Sequence, residues 1–83
     1  MEYVIIIARA VTQAQRMMRI LEDCGVWAII FRAPVDLTEL GCSYAVKIRR
    51  EKLWQAMDCL RRSGLTPLSI HEKTQGGYRE VRV

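Results

Sequence analysis

The sequence predicts an α+β domain of the ferredoxin-like type, βαββαβ, an antiparallel sheet with two helices on one face. Three observations lead there. Short apolar runs rich in β-branched residues alternate with two amphipathic stretches in the order strand, helix, strand, strand, helix, strand. Each amphipathic stretch closes on a glycine suited to a left-handed helix stop. A chain of 83 residues leaves room for one small domain, which buries about 60% of the surface exposed when unfolded.

The elements follow in order. "YVIII" (3–7) is a continuous apolar run and reads as a central strand covered on both faces. In "TQAQRMMRILEDCG", Thr12 and Gln15 have capping-box spacing and Gly25 supplies the stop, predicting a helix over about 13–24. Ala14, Met17, Met18, Leu21 and Cys24 form its apolar stripe. "VWAIIFR" (26–32) is the second strand, ended by Pro34, and "APVDLTELG" is a surface loop leading to Cys42. "SYAVKIR" (43–49) alternates, with Tyr44, Val46 and Ile48 on one face and Ala45, Lys47 and Arg49 on the other.

From Glu51, the residues Leu53, Met57 and Leu60 at helical spacing predict a second helix that stops at Gly64. "TPLSIHE" (66–72) is the fourth strand, and Pro67 suggests an edge position. Residues 1–72 thus form the domain, while 73–83 are either a tail or an added strand, a choice the sequence leaves open. The first two strands are apolar in both registers. The sheet face away from the helices therefore needs a cover: a second subunit in a homodimer, the tail, or a partner protein.

Composition narrows the function. The chain is 51% hydrophobic and 27% charged with a net charge of +4, values of an ordinary globular domain. The positive excess is modest and reads as solvated faces, so nucleic acid is disfavoured as a partner. No run approaches the roughly 20 apolar residues that a membrane-spanning helix needs. "MEYVIIIARA" lacks a basic leader region and reads as the first strand. Cys24, Cys42 and Cys59 have no metal-knuckle or C-x-x-C spacing. A disulfide framework or zinc site is not expected, and a reducing cytoplasm fits best.

Few catalytic templates survive. There are no paired carboxylates at catalytic spacing and no Gly-rich phosphate loop, and His71 is the only histidine. No enzyme activity and no resident cofactor or metal are expected. Cys24 and Cys59 read as structural, Cys59 lying at the border of the buried face without an evident partner. Cys42 differs by its place at the end of a long loop, where working residues tend to be held. Its thiol, with an ordinary pKa of about 8.5, needs nearby cations or peptide N–H groups to act as a nucleophile. Arg32, at the end of the neighbouring strand, is a candidate source. A Cys42–His71 dyad is a further option.

The succession "EYVIIIARAVTQAQRMMRILEDCGV", "FRAP", a loop ending in cysteine, and "YAVKIRREKLWQAMDCLRRSGL" resembles the small bacterial selenium/sulfur carrier protein-like family over residues 3 to about 71. In this chain Gly41 precedes Cys42, whereas family members show the order Cys-Gly. The resemblance implies a cytoplasmic carrier that holds sulfur or selenium on Cys42 as a persulfide or perselenide and exchanges it with donor and acceptor proteins. Arg32, Gly41 and Ser43 would be the helpers.

Two readings of other classes stand beside it. One is a ferredoxin-like adaptor or dimerisation domain acting through its open sheet face. The other is an RNA-binding module, because RNA-recognition domains share this element order. "LGCSYAVK" matches their signature only at Gly41 and Tyr44, and the sequence displays no basic stacking platform.

Overall fold

The computed structural model describes residues 2–33, 44–67 and 69–81. Its elements are β1 (Tyr3–Ala8), α1 (Val11–Asp23), β2 (Ala28–Arg32), β3 (Tyr44–Arg49), a 3₁₀ turn (Arg50–Lys52), α2 (Leu53–Arg62), β4 (Ser69–Thr74) and β5 (Gly77–Glu80). The strands form one antiparallel sheet in the order β2-β3-β1-β4-β5. The first four strands have the ferredoxin-like arrangement, and β5 extends it. Pro67 precedes β4, but β4 is not the edge: β5 pairs with it, from His71 opposite Glu80 to Thr74 opposite Gly77.

Both helices end as their glycines predict. Val26 N–H donates to the Leu21 carbonyl at 2.8 Å and Gly25 N–H to the Glu22 carbonyl at 3.0 Å. Leu65 and Gly64 make the same pair of bonds to Leu60 and Arg61, at 3.0 and 3.1 Å. Gly25 and Gly64 take φ of +77° and +75°, the left-handed geometry of this motif. Each motif turns its next residue, Val26 or Leu65, onto the core, which is why β2 begins at Ala28 instead of residue 26.

The start of α1 differs from the capping-box expectation. Its N-cap is Ala10, with no side-chain cap, and Thr12 lies inside the helix. Gln13 does the reaching back: its Oε1 accepts from the Arg9 N–H at 2.7 Å. The Thr12–Gln15 spacing is therefore incidental.

Strand alternation divides the apolar residues between two faces. Val4, Ile6, Val46, Ile48 and Ile70 point toward the helices and meet Met17, Leu21, Leu53, Met57 and Leu60 in the main core. Ile5, Ile7 and Ala45 point the other way and are also buried, with Phe31 and Ala33 packed against them. The chain's own residues thus cover part of the face expected to need a partner. Trp27 and Ile29, on the same side, remain more than 40% exposed.

Candidate functional site

Cys42, with Gly41 and Ser43, lies outside the described residues, but its attachment point is well defined. β2 ends at Arg32, opposite Tyr44 at the start of β3, and Tyr44 is in turn opposite Ala8 at the end of β1. Cys42 precedes Tyr44 by two positions in the sequence. The same end of the sheet holds the start of α1 at Val11, three residues beyond Ala8, and the exposed side chains of Arg9 and Arg32. Arg32 shares the parity of Ala28 and Ile30, toward the helix side. This end is electropositive through two guanidinium groups and through the N–H groups of an uncapped helix start.

The other two cysteines correct the sequence reading. Cys24, the C-cap of α1, and Cys59 in α2 form a disulfide, with Cα atoms 6.7 Å apart. Cys59 therefore has a partner, 35 residues away in sequence, and neither residue is a lone hydrophobe. Gln55 reinforces the link by donating from Nε2 to the Cys24 carbonyl at 2.8 Å. Helix packing creates this pair, and no local spacing announces it. Cys42 is the one cysteine of the chain outside that bond.

His71 lies in β4 opposite Ile5, on the face away from the helices, and is 8% exposed. Its Nε2 is 2.9 Å from Ser69 Oγ. Burial pushes the imidazole pKa below its usual value, and the carboxylate of Glu80 partly opposes that shift. His71 is thus engaged within the sheet.

Sequence reasoning missed a constellation on the open face. Arg49 pairs with Tyr3 and Lys47 with Ile5 across β3 and β1, while Lys73 pairs with Tyr78 across β4 and β5. Tyr3 and Trp27 have ring centroids 6.0 Å apart. The Lys47 ammonium lies 4.8 Å from the Tyr3 ring centre, and the Arg49 guanidinium lies 5.9 Å from that of Trp27. Continuing the register by strand parity gives a row across the sheet: Trp27, Arg49, Tyr3, Lys73, Tyr78. These residues are scattered over 76 positions of chain, so only strand pairing reveals their alternation.

The opposite face carries an ion cluster. Glu72, nearly buried, bonds Arg50 Nε at 3.1 Å and also pairs with Arg79, while Arg50 reaches Glu2 at 3.0 Å. This cluster ties β4 and β5 to the turn before α2. Its charges satisfy one another, as a structural group would.

A four-stranded ferredoxin-like sheet with an added edge strand and two helices on one face defines the class: a small α+β domain of ferredoxin-like arrangement. Residues 2–72 match the family described as "Putative Se/S carrier protein-like", and the chain belongs to that family. No curated protein and no solved structure matches the chain. Among the described residues, no helix is long and apolar enough to cross a membrane.

Proposed function

We propose that the protein is a non-catalytic selenium/sulfur carrier that holds the chalcogen on Cys42, in the cytoplasm, between a donor and an acceptor protein. The observation that supports this reading most is the cysteine pairing. Cys24 and Cys59 are joined to each other, so within this family member Cys42 is the cysteine left for exchange. If the compartment is reducing, the Cys24–Cys59 bond forms and breaks with the local thiol poise instead of standing as a permanent staple.

The chemistry is a two-step thiol exchange. The Cys42 thiolate attacks the outer sulfur of a donor persulfide; a new S–S bond forms, the donor's S–S bond breaks, and the donor leaves as a thiolate. An acceptor thiolate then attacks the outer atom on Cys42, taking it and returning Cys42 to the thiolate. Selenium follows the same course. Neither step changes the total count of electrons. Arg32, Arg9 and the start of α1 lie at the end of the sheet from which β2 leads on toward Cys42 in sequence, and cations close to a thiol would favour its thiolate. Gly41 and Ser43 flank the thiol as backbone and hydroxyl helpers.

Discharge tests the reading. Protein loaded with a sulfane-sulfur donor and freed of excess reagent should release its outer sulfur to a small thiol, with Cys42 recovered unmodified. Arg32→Ala should slow loading by several-fold near pH 7 while leaving the fold intact. Release that persists in Cys42→Ser would contradict the assignment.

A further inference from the structure

The open sheet face joins three aromatic rings and three cations in a pattern that a globular domain does not need for its own stability. Trp27 is 44% and Tyr78 36% exposed, and Arg49 and Lys73 are exposed between and beside them. Lys47 stands over Tyr3, and Arg49 beside Trp27. With strands about 4.8 Å apart, the row from Trp27 to Tyr78 spans roughly 19 Å of sheet. Farther along the same face, Ile5, Ile7 and Ala45 are buried under Phe31 and Ala33, leaving the aromatic end as the accessible part.

We propose that this face binds single-stranded nucleic acid, with Trp27, Tyr3 and Tyr78 stacking two or three bases and Lys47, Arg49 and Lys73 pairing with the intervening phosphates. The ligand must offer flat rings and regularly spaced negative charge together, and a single strand does both. Charge selects it over a second copy of the chain. Two such faces packed by a two-fold axis would bring Lys47, Arg49 and Lys73 against their own images, with Glu80 the one carboxylate among the described residues to offset them on this face. The cations that now rest on the rings do not obstruct binding, because an exposed cation–π contact is weaker than base stacking on the same ring. On arrival of the strand, Lys47 swings from the Tyr3 ring to a phosphate. The inference does not depend on Cys42 and stands or falls separately from the carrier reading.

The test is a fluorescence-anisotropy titration of the full chain against a labelled 12-nucleotide oligouridine at low salt, repeated at rising salt. Binding with a log–log salt slope near −2 is expected for three phosphates on a single strand, at about −0.7 per phosphate. Trp27→Ala, at an exposed site where truncation leaves the core untouched, should weaken binding about tenfold or more. Lys47→Glu/Arg49→Glu should abolish it, whereas the Arg61→Glu/Arg62→Glu protein, altered at the end of α2, should still bind and should still lose that binding on Trp27→Ala. In a Trp54→Phe host, which leaves Trp27 as the sole tryptophan, the oligonucleotide should quench the emission. Three results would each overturn the proposal: no binding at low salt, salt-sensitive binding indifferent to Trp27→Ala, or a concentration-dependent dimer that Trp27→Ala dissolves.

Discussion

Reducing the Cys24–Cys59 bond should remove a large part of the domain's stability. The bond closes a loop of 35 residues. In the chain-entropy account, opening such a loop in the unfolded state costs about 4 kcal/mol of folding free energy at 25 °C. A domain of this length has a total stability of roughly 4–12 kcal/mol. Reduction should therefore bring the protein close to marginal. The assay is urea unfolding of the Cys42→Ser protein, oxidised and reduced, followed by far-ultraviolet circular dichroism; the serine prevents intermolecular bridges. At an m-value of roughly 1–2 kcal/mol/M, the midpoint should fall by about 2–4 M on reduction. The Cys24→Ser/Cys59→Ser protein should match the reduced form and ignore reductant. A difference below about 1 kcal/mol, or an equal response to reductant in the double variant, would refute the reasoning.

Three further outcomes follow from particular residues. His71 has a folded-state pKa below its unfolded value, so the unfolded chain takes up a proton that the folded one refuses. The domain should lose stability as pH falls through and below about 6.5, and His71→Gln should flatten that slope in pH-dependent thermal melts. Gly25→Ala and Gly64→Ala meet no atom within 4 Å, so each should cost only the left-handed backbone penalty, about 1–2 kcal/mol, by urea unfolding. In the ion cluster, Arg50→Ala/Arg79→Ala strands the nearly buried Glu72 and should cost about 3 kcal/mol. Glu72→Gln, which leaves two exposed arginines free to rehydrate, should cost less than half of that.

Features set by local physics were legible in the sequence. The glycines at 25 and 64 announce the helix ends because a left-handed residue is needed there, and the alternation in "YAVKIR" assigns Tyr44, Val46 and Ile48 to the core because strand side chains repeat every two residues. The features that escaped are long-range. The Cys24–Cys59 pair depends on how α1 and α2 pack, and the Trp27–Arg49–Tyr3–Lys73–Tyr78 row depends on four strand registers. The Thr12–Gln15 motif failed because a capping box needs an N-cap at its first residue, and the helix begins before it. Cys42 stands out in the sequence by its loop-end position and by the family resemblance, and it lies outside the described residues.

The most direct test of the carrier account is site-resolved mass spectrometry of the protein after brief exposure to a sulfane-sulfur donor, with persulfides trapped by alkylation. The account predicts one added sulfur on Cys42, absent from Cys42→Ser, with Cys24 and Cys59 recovered as their mutual disulfide. Equal labelling of all three cysteines, or none on Cys42, would contradict it.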